Sequence, residues 1–417
     1  MKPAHIPTYC SLLHLHLTNF NHQEGKAEVG GSIFNLVKNI VGSGILALPG
    51  GVAAFSHARG AVVPASVLIL LLGLLSGYCF SLIGRACAAT NARSYGDAWA
   101  ATVEPKTVWM PLSSVVAKTF FTCLSYSIII GDTFAALAQT FAAPAWLAYR
   151  PTILSAISGV FLLPLCLMTD LSPLRYTSIV GIAGTLYTAG VMALRYFDGS
   201  YALGGRFFNA AASAAKGPLF TGSAALNPLS LILVSMLSTS FIAHYNAPKF
   251  YHELKDKTVP KYNTVVGTSF GASILLFVVM TVFPFLTFGG HSSGLILNNY
   301  ANGDNLATMC RLAIGASIVF GYPLTFITTR EGVFSALGVT KPTKTQIRVA
   351  TVAILSALTG CAMVLRNLGF VVAFGGALLG SAIIYVFPAV MWVGKCKGDM
   401  KRGDKLTGWR KVNLPHG

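Results

Sequence analysis

Three residues near the start of the chain, Gly42, Ser43 and Gly44, interrupt an apolar stretch at residues 31–55 that is long enough to cross a membrane. Glycine lacks a Cβ and allows a helix to unwind, which frees backbone N–H and C=O groups. The freed N–H groups, with the N-terminus of a half-helix beginning near Ile45, would attract an anion such as a carboxylate. The alternative interpretation is a kink where two helices cross closely.

A second apolar stretch, residues 227–250, is interrupted between Leu237 and Lys249, where it carries three hydroxyl groups. These hydroxyls could hold an amino group beside unpaired carbonyls, although serine and threonine in membrane helices commonly bond to their own preceding turn. The three residues are Ser238, Thr239 and Ser240. His244 follows one turn later, and because imidazole titrates near neutral pH it could relay a proton or bond across helices.

Charged side chains inside apolar stretches are costly in lipid and are therefore candidates for function. Lys38 lies seven residues into the first stretch, where it could snorkel to the interface or take the place of an inorganic cation. Asp132 lies near the outer end of the third stretch and could be an outer gate residue or a solvent-facing carboxylate. Arg311 lies at a similar predicted depth and could pair with Asp132.

The elements that must position these residues are helices in a bilayer. Of the 417 residues, 54% are hydrophobic and 10% are charged, which excludes a soluble protein. A membrane-spanning helix needs about 20 apolar residues, and ten stretches meet that length. We predict an all-α polytopic membrane protein with spans at residues 31–55, 61–84, 116–143, 151–169, 176–197, 227–250, 262–288, 306–329, 347–365 and 368–394.

The net charge is +17, and the positions of the basic residues along the chain indicate the membrane topology. With the N-terminus inside, 21 Lys and Arg residues fall in inner loops and tails and 6 in outer loops. Because cytoplasmic loops accumulate Lys and Arg, both termini are predicted to be cytoplasmic. The basic residues therefore indicate contact with the lipid bilayer, including anionic lipid at the C-terminal tail, and no nucleic-acid partner.

The chain is predicted to form one membrane domain, residues 31–394, between a flexible cytoplasmic tail (1–30) and a basic cytoplasmic tail (395–417). Its eight cysteines include no C-x-x-C pair, so no disulfide framework, metal site or cofactor is predicted. No cluster of His, Asp or Glu suggests an enzyme. Three G-x-x-x-G pairs, at Gly73, Gly267 and Gly376, are interpreted as helix-packing positions.

The two interrupted stretches occupy corresponding places in a five-plus-five arrangement, as the first and the sixth span. Because five is odd, the two halves would lie inverted in the membrane. Irregular spans at matching positions of two halves are typical of the binding site of a secondary transporter.

Three segments resemble the amino acid/auxin permease family of eukaryotic amino-acid transporters: Phe34 to Gly51, Ser125 to Thr133 and Phe241 to Leu254. The resemblance implies the five-plus-five inverted-repeat transporter fold, with discontinuous spans 1 and 6. It places a substrate carboxylate on the backbone of Val41 to Gly44 and the α-amino group near Ser238 to Phe241. Tyr126 and Tyr322 are implied to line the pocket.

Sodium-coupled members of that family resemble FNLSNAIVGSG in the first span, with asparagine where this chain has Lys38. Their span eight implies a threonine-bearing segment over Val319 to Gly321, which here has no hydroxyl. Proton-coupled and vacuolar-type members look more similar. The resemblance therefore implies proton coupling, with Lys38, His244 and Asp132 as the ion-coupling residues.

The combined prediction is a secondary active transporter of small neutral amino acids that works by alternating access and is driven by protons. The alternative is a membrane-embedded amino-acid sensor without net transport. Both a vacuolar or endolysosomal membrane and the plasma membrane fit the predicted topology. Family members commonly carry an eleventh span, whereas this chain is polar and basic after Trp392, so that span is expected to be lost or truncated.

Overall fold

The chain is built of helices. Most predicted spans are continuous helices, and among the described residues the spans at 31–55 and 227–250 are each divided into two half-helices. The computed structural model describes residues 25–168, 177–208, 219–222, 225–339 and 341–401. Within these ranges the regular secondary structure is helical, with two isolated β-bridges. Residues 1–24 and 402–417 of the predicted tails lie outside the described residues.

The first half of the chain contains helices α1 to α7. They are α1 Val29–Ile40, α2 Leu48–Phe55, α3 Val62–Thr90, α4 Tyr95–Thr102, α5 Trp109–Thr140, α6 Arg150–Leu167 with a π-helical turn at Ser158–Leu162, and α7 Thr177–Phe197. Short helices lie at Ala145–Ala148 and, as 3₁₀ turns, at Ser43–Ala47, Arg59–Ala61 and Pro105–Thr107.

The second half contains helices α8 to α13. They are α8 Ser230–Ser240, α9 Ala247–Glu253, α10 Val259–Phe288, α11 Asn305–Ala336, α12 Lys344–Val364 and α13. The last of these comprises Leu368–Gly375, π-helical turns at Gly376–Gly380 and Ala382–Val386, and Phe387–Lys401. 3₁₀ turns lie at His244–Asn246 and Ile296–Asn299.

Seven helices among the described residues are long and apolar enough to cross a membrane, and the bent pair Val29–Ile40 with Ser43–Phe55 makes an eighth. The other two predicted spans coincide with α7, which has 21 residues, and with the interrupted pair α8 and α9. The predicted all-α, multi-span architecture with breaks in spans one and six is confirmed. Hydropathy over long apolar runs located the spans because lipid admits few other backbone structures.

Close approaches at small residues hold the broken spans among their neighbours. A Cβ added to Gly44 would lie 2.5 Å from Ser240 Oγ, and one added to Gly51 would lie 2.6 Å from Met236 Sδ. The α13 residue Gly376 is pressed against the carbonyl oxygen of Ser235, while Gly380 approaches that of Ser238. Two of the G-x-x-x-G pairs therefore pack helices, Gly376–Gly380 on α8 and Gly73–Gly77 on α10, whereas no described atom lies within 4 Å of a Cβ placed on Gly267 or Gly271.

Two predicted tail boundaries differ from the structure. Ala27 pairs with Leu254 in a parallel β-bridge and α1 begins at Val29, so residues 25–30 are structured. At the other end the last helix continues to Lys401, since its final turns contain Lys395 and Asp399 in a 2.5 Å ion pair. The sequence assigned both segments to the tails because they are polar. Polar composition does not reveal that a segment is held by a β-bridge or an ion pair.

We predict that Gly376→Ala destabilises the protein by roughly 1–3 kcal/mol, because its Cβ would overlap the Ser235 carbonyl and force helices α8 and α13 apart. The measurement is the thermal unfolding midpoint in detergent. Gly360→Ala in α12 is the matched control, since no described atom lies within 4 Å of its added Cβ. Equal midpoints for both variants would contradict the packing role of Gly376.

Candidate binding site

The first break leaves backbone donors unpaired in an uncrowded place. The α1 helix ends at Ile40, and Gly42 is extended with φ −105° and ψ −163°. The N–H groups of Val41 and Gly42 are paired, since they donate to the carbonyls of Val37 and Ile40 at 2.8 and 2.9 Å. Ser43 begins a 3₁₀ turn, so the first N–H groups of that turn have no acceptor within it. No described atom lies within 4 Å of a Cβ placed on Gly42. The halves bend by 44°, and the predicted break is confirmed, with its irregular residues at Val41 and Gly42.

The second break presents hydroxyl oxygens whose hydrogens are already donated. Ser238 Oγ donates to the Val234 carbonyl at 3.0 Å and Ser240 Oγ to the Met236 carbonyl at 2.8 Å, both one turn back along α8. Thr239 Oγ1 donates to the Val372 carbonyl of α13 at 2.7 Å. A hydroxyl used in this way keeps lone pairs that accept hydrogen bonds. These positions therefore suit an ammonium group better than a carboxylate.

The two breaks touch each other. The 3₁₀ turn Ser43–Ala47 packs against α8, and the closest approach is Gly44 against Ser240. Phe241, which ends α8, is fully buried against Phe277 with ring centroids 4.5 Å apart. Donors that favour an anion and acceptors that favour an ammonium thus lie side by side, an arrangement that suits a small zwitterion.

Tyr126 and Tyr322 are brought together on the facing helices α5 and α11. Their ring centroids are 6.2 Å apart, and Tyr322 Oη lies 3.1 Å from Ser127 Oγ. Tyr322 is fully buried and Tyr126 is half-buried. Helix α5 also contacts the turn Ser43–Ala47, so one of the two helices that carry this aromatic pair packs against the first break.

Lys38 lies in the last turn of α1, three residues before Val41, and is half-buried. A cation at a helix C-terminus interacts favourably with the helix dipole. This placement next to the break is compatible with both sequence interpretations of Lys38, snorkelling and replacement of an inorganic cation.

His244 is fully buried among aromatic rings just after the second break. Its Nε2 lies 3.0 Å from the Ser76 carbonyl of α3, and Phe80 meets its ring edge-on at 5.4 Å between centroids. No described group bonds to its Nδ1. The sequence left two roles open for His244, a bond across helices and proton relay. The structure contains the bond across helices.

Asp132 forms an ion pair with Arg150 Nε, and its side chain is 12% exposed. It also accepts a bond from Asn298 Nδ2 at 2.9 Å, while Arg150 Nη1 donates to the Ala362 carbonyl at 2.8 Å. The predicted solvent-facing alternative for Asp132 is therefore wrong.

The predicted pairing of Asp132 with Arg311 is also wrong. Arg311 is buried and donates to the carbonyls of Leu297 and Tyr300, at 3.0 and 2.6 Å. Similar depth in two spans does not make two residues neighbours. Arg150 was the better candidate, because it follows Asp132 across the short turn between consecutive helices.

Three further buried charges among the described residues escaped the sequence reasoning, at Lys118, Asp304 and Arg330. Lys118 in α5 is 4% exposed, and its Nζ donates to Thr122 Oγ1 at 2.9 Å. Asp304 is fully buried, accepts two bonds from Arg195 at 2.6 and 2.8 Å, and caps the N-terminus of α11. Charge inside an apolar run was the available signal for Lys118, and an Asp directly before a helix was the signal for Asp304.

Comparison with solved structures identifies the fold. The fold is similar to that in "Inward facing conformation of Mhp1", with a TM-score of 0.56 and 13% identity over 87% of this chain and 76% of that chain. The five-plus-five inverted-repeat transporter fold expected from the sequence is confirmed.

The chain belongs to the family described as transmembrane amino acid transporter protein, which matches residues 25–414. A similar protein from Danio rerio, named "Putative sodium-coupled neutral amino acid transporter 11", is 26% identical over 92% of this chain and 82% of its own length. "Vacuolar amino acid transporter 5" from Schizosaccharomyces pombe is 26% identical over 88% of this chain and 84% of its own length. The protein is thus a multi-pass membrane protein of an amino-acid transporter family.

We predict that Arg150→Ala lowers the free energy of unfolding by about 3 kcal/mol, because it leaves the half-buried Asp132 carboxylate without its ion-pair partner. Thermal unfolding in detergent measures the effect. The control is Lys261→Ala, which removes the exposed pair with Asp256 and should cost at most about 1 kcal/mol. A loss no larger than that of the control would show that the Arg150 pair contributes little.

Proposed function

We propose that the protein is a secondary active transporter that moves small neutral amino acids by alternating access. The observation that carries the proposal is the contact of Gly44 with Ser240, which places the two helix breaks side by side. A substrate carboxylate would bind the backbone of Val41 to Gly44 through the N–H groups of Ser43 and Gly44, because those of Val41 and Gly42 already donate within the chain. Its α-amino group would bind oxygens near Ser238, Thr239, Ser240 and Phe241.

The size and charge of the substrate are proposed from the aromatic residues expected to surround it. We propose that the paired rings of Tyr126 and Tyr322 line the pocket, with the fully buried Phe241 at the second break. Aromatic walls of this kind favour an apolar side chain and offer no charged partner to it. A neutral amino acid fits these walls better than a charged one.

We propose that transport is coupled to protons and does not require sodium. Two observations support this, the position of Lys38 in the last turn of α1 and the lack of hydroxyl side chains at 319–321 in α11. A fixed ammonium close to the break repels a second cation. His244 and Asp132 are the other proposed ion-coupling residues, although both have bonds that also serve the fold. Since the Danio rerio relative is named sodium-coupled, sodium dependence is the decisive measurement.

The proposed orientation puts both termini in the cytoplasm, as the distribution of Lys and Arg indicates. A vacuolar or endolysosomal membrane and the plasma membrane are both compatible with that orientation. The vacuolar relative from Schizosaccharomyces pombe supports the former.

We predict that Gly44→Val weakens amino-acid binding by about tenfold or more, because the added side chain would enter the space of Ser240 and separate the breaks. Equilibrium binding of radiolabelled amino acids to the purified protein measures this. Gly31→Val in α1 is the control, since no described atom lies within 4 Å of its added Cβ. Unchanged affinity in Gly44→Val would show that the first break is only a kink.

We predict that an imposed pH gradient drives uptake of neutral amino acids into proteoliposomes without sodium. Lys38→Asn should reduce this uptake by about tenfold or make it sodium-stimulated, because the fixed positive charge beside the break is gone. Wild-type uptake that requires sodium and ignores pH would refute the proposed coupling. Binding without any uptake would favour a sensor instead.

A further inference from the structure

The residues just before α1 are joined to those just after α9. The Ala27 N–H donates to the Glu253 carbonyl, and the Lys255 N–H donates to the Ala27 carbonyl, both at 2.9 Å. Together they form the parallel bridge between Ala27 and Leu254. Residues 25–27 and 253–255 are named the clasp below.

The clasp is closely packed around one glycine. A Cβ added to Gly25 would lie 2.5 Å from the carbonyl oxygens of both Glu253 and Leu254. Leu254 is 1% exposed, so the paired backbone is shielded from solvent on that side. Breaking shielded backbone hydrogen bonds leaves polar groups unpaired, which opposes opening of the clasp.

The clasp connects the two half-helices that lead to the binding site from the same face of the bundle. Only Glu28 separates Ala27 from the start of α1, and α9 ends at Glu253 itself. The connection therefore has almost no slack. Each half-helix also has its own neighbour, since Ser269 Oγ of α10 donates to the Ile33 carbonyl of α1 at 3.3 Å and His252 Nε2 lies 2.8 Å from the Ala92 carbonyl.

We infer that the clasp makes α1 and α9 move as one body when the binding site opens toward this face, so that residues 25–27 and 253–255 are positioning residues for transport. The inference rests on the proposed function, because it concerns how alternating access is carried out. The opposing possibility is that α1 swings away alone, hinged at Val41 and Gly42, which would open the clasp in every cycle.

Electron paramagnetic resonance distances separate these possibilities without measuring transport. Spin labels at Phe34→Cys on α1 and Lys249→Cys on α9 report the half-helices, and a label at Val349→Cys on α12 gives an outside reference; all three side chains are exposed. We expect the α1–α9 distance to stay constant with and without a neutral amino acid while the α1–α12 distance changes. An α1–α9 distance that changes or splits would overturn the clasp. A constant α1–α12 distance would count against alternating access and leave the α1–α9 result standing.

A disulfide across the clasp tests the same point by function. Adjacent strands lie about 4.8 Å apart, which is within the Cα separation that a disulfide spans, so Ala27→Cys with Leu254→Cys should cross-link on oxidation. We expect the cross-linked protein to keep uptake within about twofold of its reduced form, since the clasp need not open. Loss of uptake that reduction restores, or failure of the two cysteines to cross-link, would overturn the inference.

Gly25→Ala is designed to loosen the clasp, whereas the disulfide locks it. Its Cβ would meet the Glu253 and Leu254 carbonyls, so we expect a broadened α1–α9 distance and a maximal uptake rate lowered by roughly threefold or more, with little change in amino-acid affinity. Gly31→Ala, with no described atom within 4 Å of its Cβ, is the matched control and should resemble wild type. If Gly25→Ala matches the control in both the α1–α9 distance and the uptake rate, the proposed role of the clasp is refuted. If this variant does not fold, the cross-linking and distance measurements on the other variants test the same role.

Discussion

The structure depends on one constraint of the bilayer, that every backbone polar group inside it must find a partner within the protein. Whole helices satisfy this requirement by themselves, and the chain uses them nearly everywhere. Among the described residues, the spans break at Val41–Gly42 and at Phe241–Ala243, and the turn Ser43–Ala47 that follows the first break packs against α8, which precedes the second. Gly44 permits this contact because it has no side chain to hold Ser240 away. The proposed function uses this irregular, half-buried backbone to recognise a small polar molecule.

The same constraint explains how far the sequence could be interpreted. Long apolar runs locate the spans because little else is stable in lipid, and Gly-Ser-Gly marks the first break because glycine relaxes the helix. The partner of Asp132 could not be found in this way. It depends on how the turn between α5 and α6 brings Arg150 back to the carboxylate, and on the arrival of Asn298 from a distant loop. Local pattern carries no information about such contacts.

At the second break, the sequence predicted which hydroxyl groups are present but not which acceptors they bond to. The sequence showed that Ser238, Thr239 and Ser240 were present, and their bonding to α8 or to other elements was left open. In the structure the hydroxyls of Ser238 and Ser240 donate within α8, whereas that of Thr239 donates to α13. This distinction follows from the small residues of α13, because Gly375 and Gly376 allow it to lie against α8.

The bond from Thr239 to the Val372 carbonyl has a consequence for biosynthesis. One wall of the binding site belongs to the last helix of the described chain, more than 130 residues after the break that it supports. During insertion into the membrane, the earlier helices leave the ribosome before this wall exists. In the proposed transporter, recognition of a solute would be acquired late in synthesis, when α13 docks on α8. A ligand added to a nascent chain would find no complete site until that helix is in place.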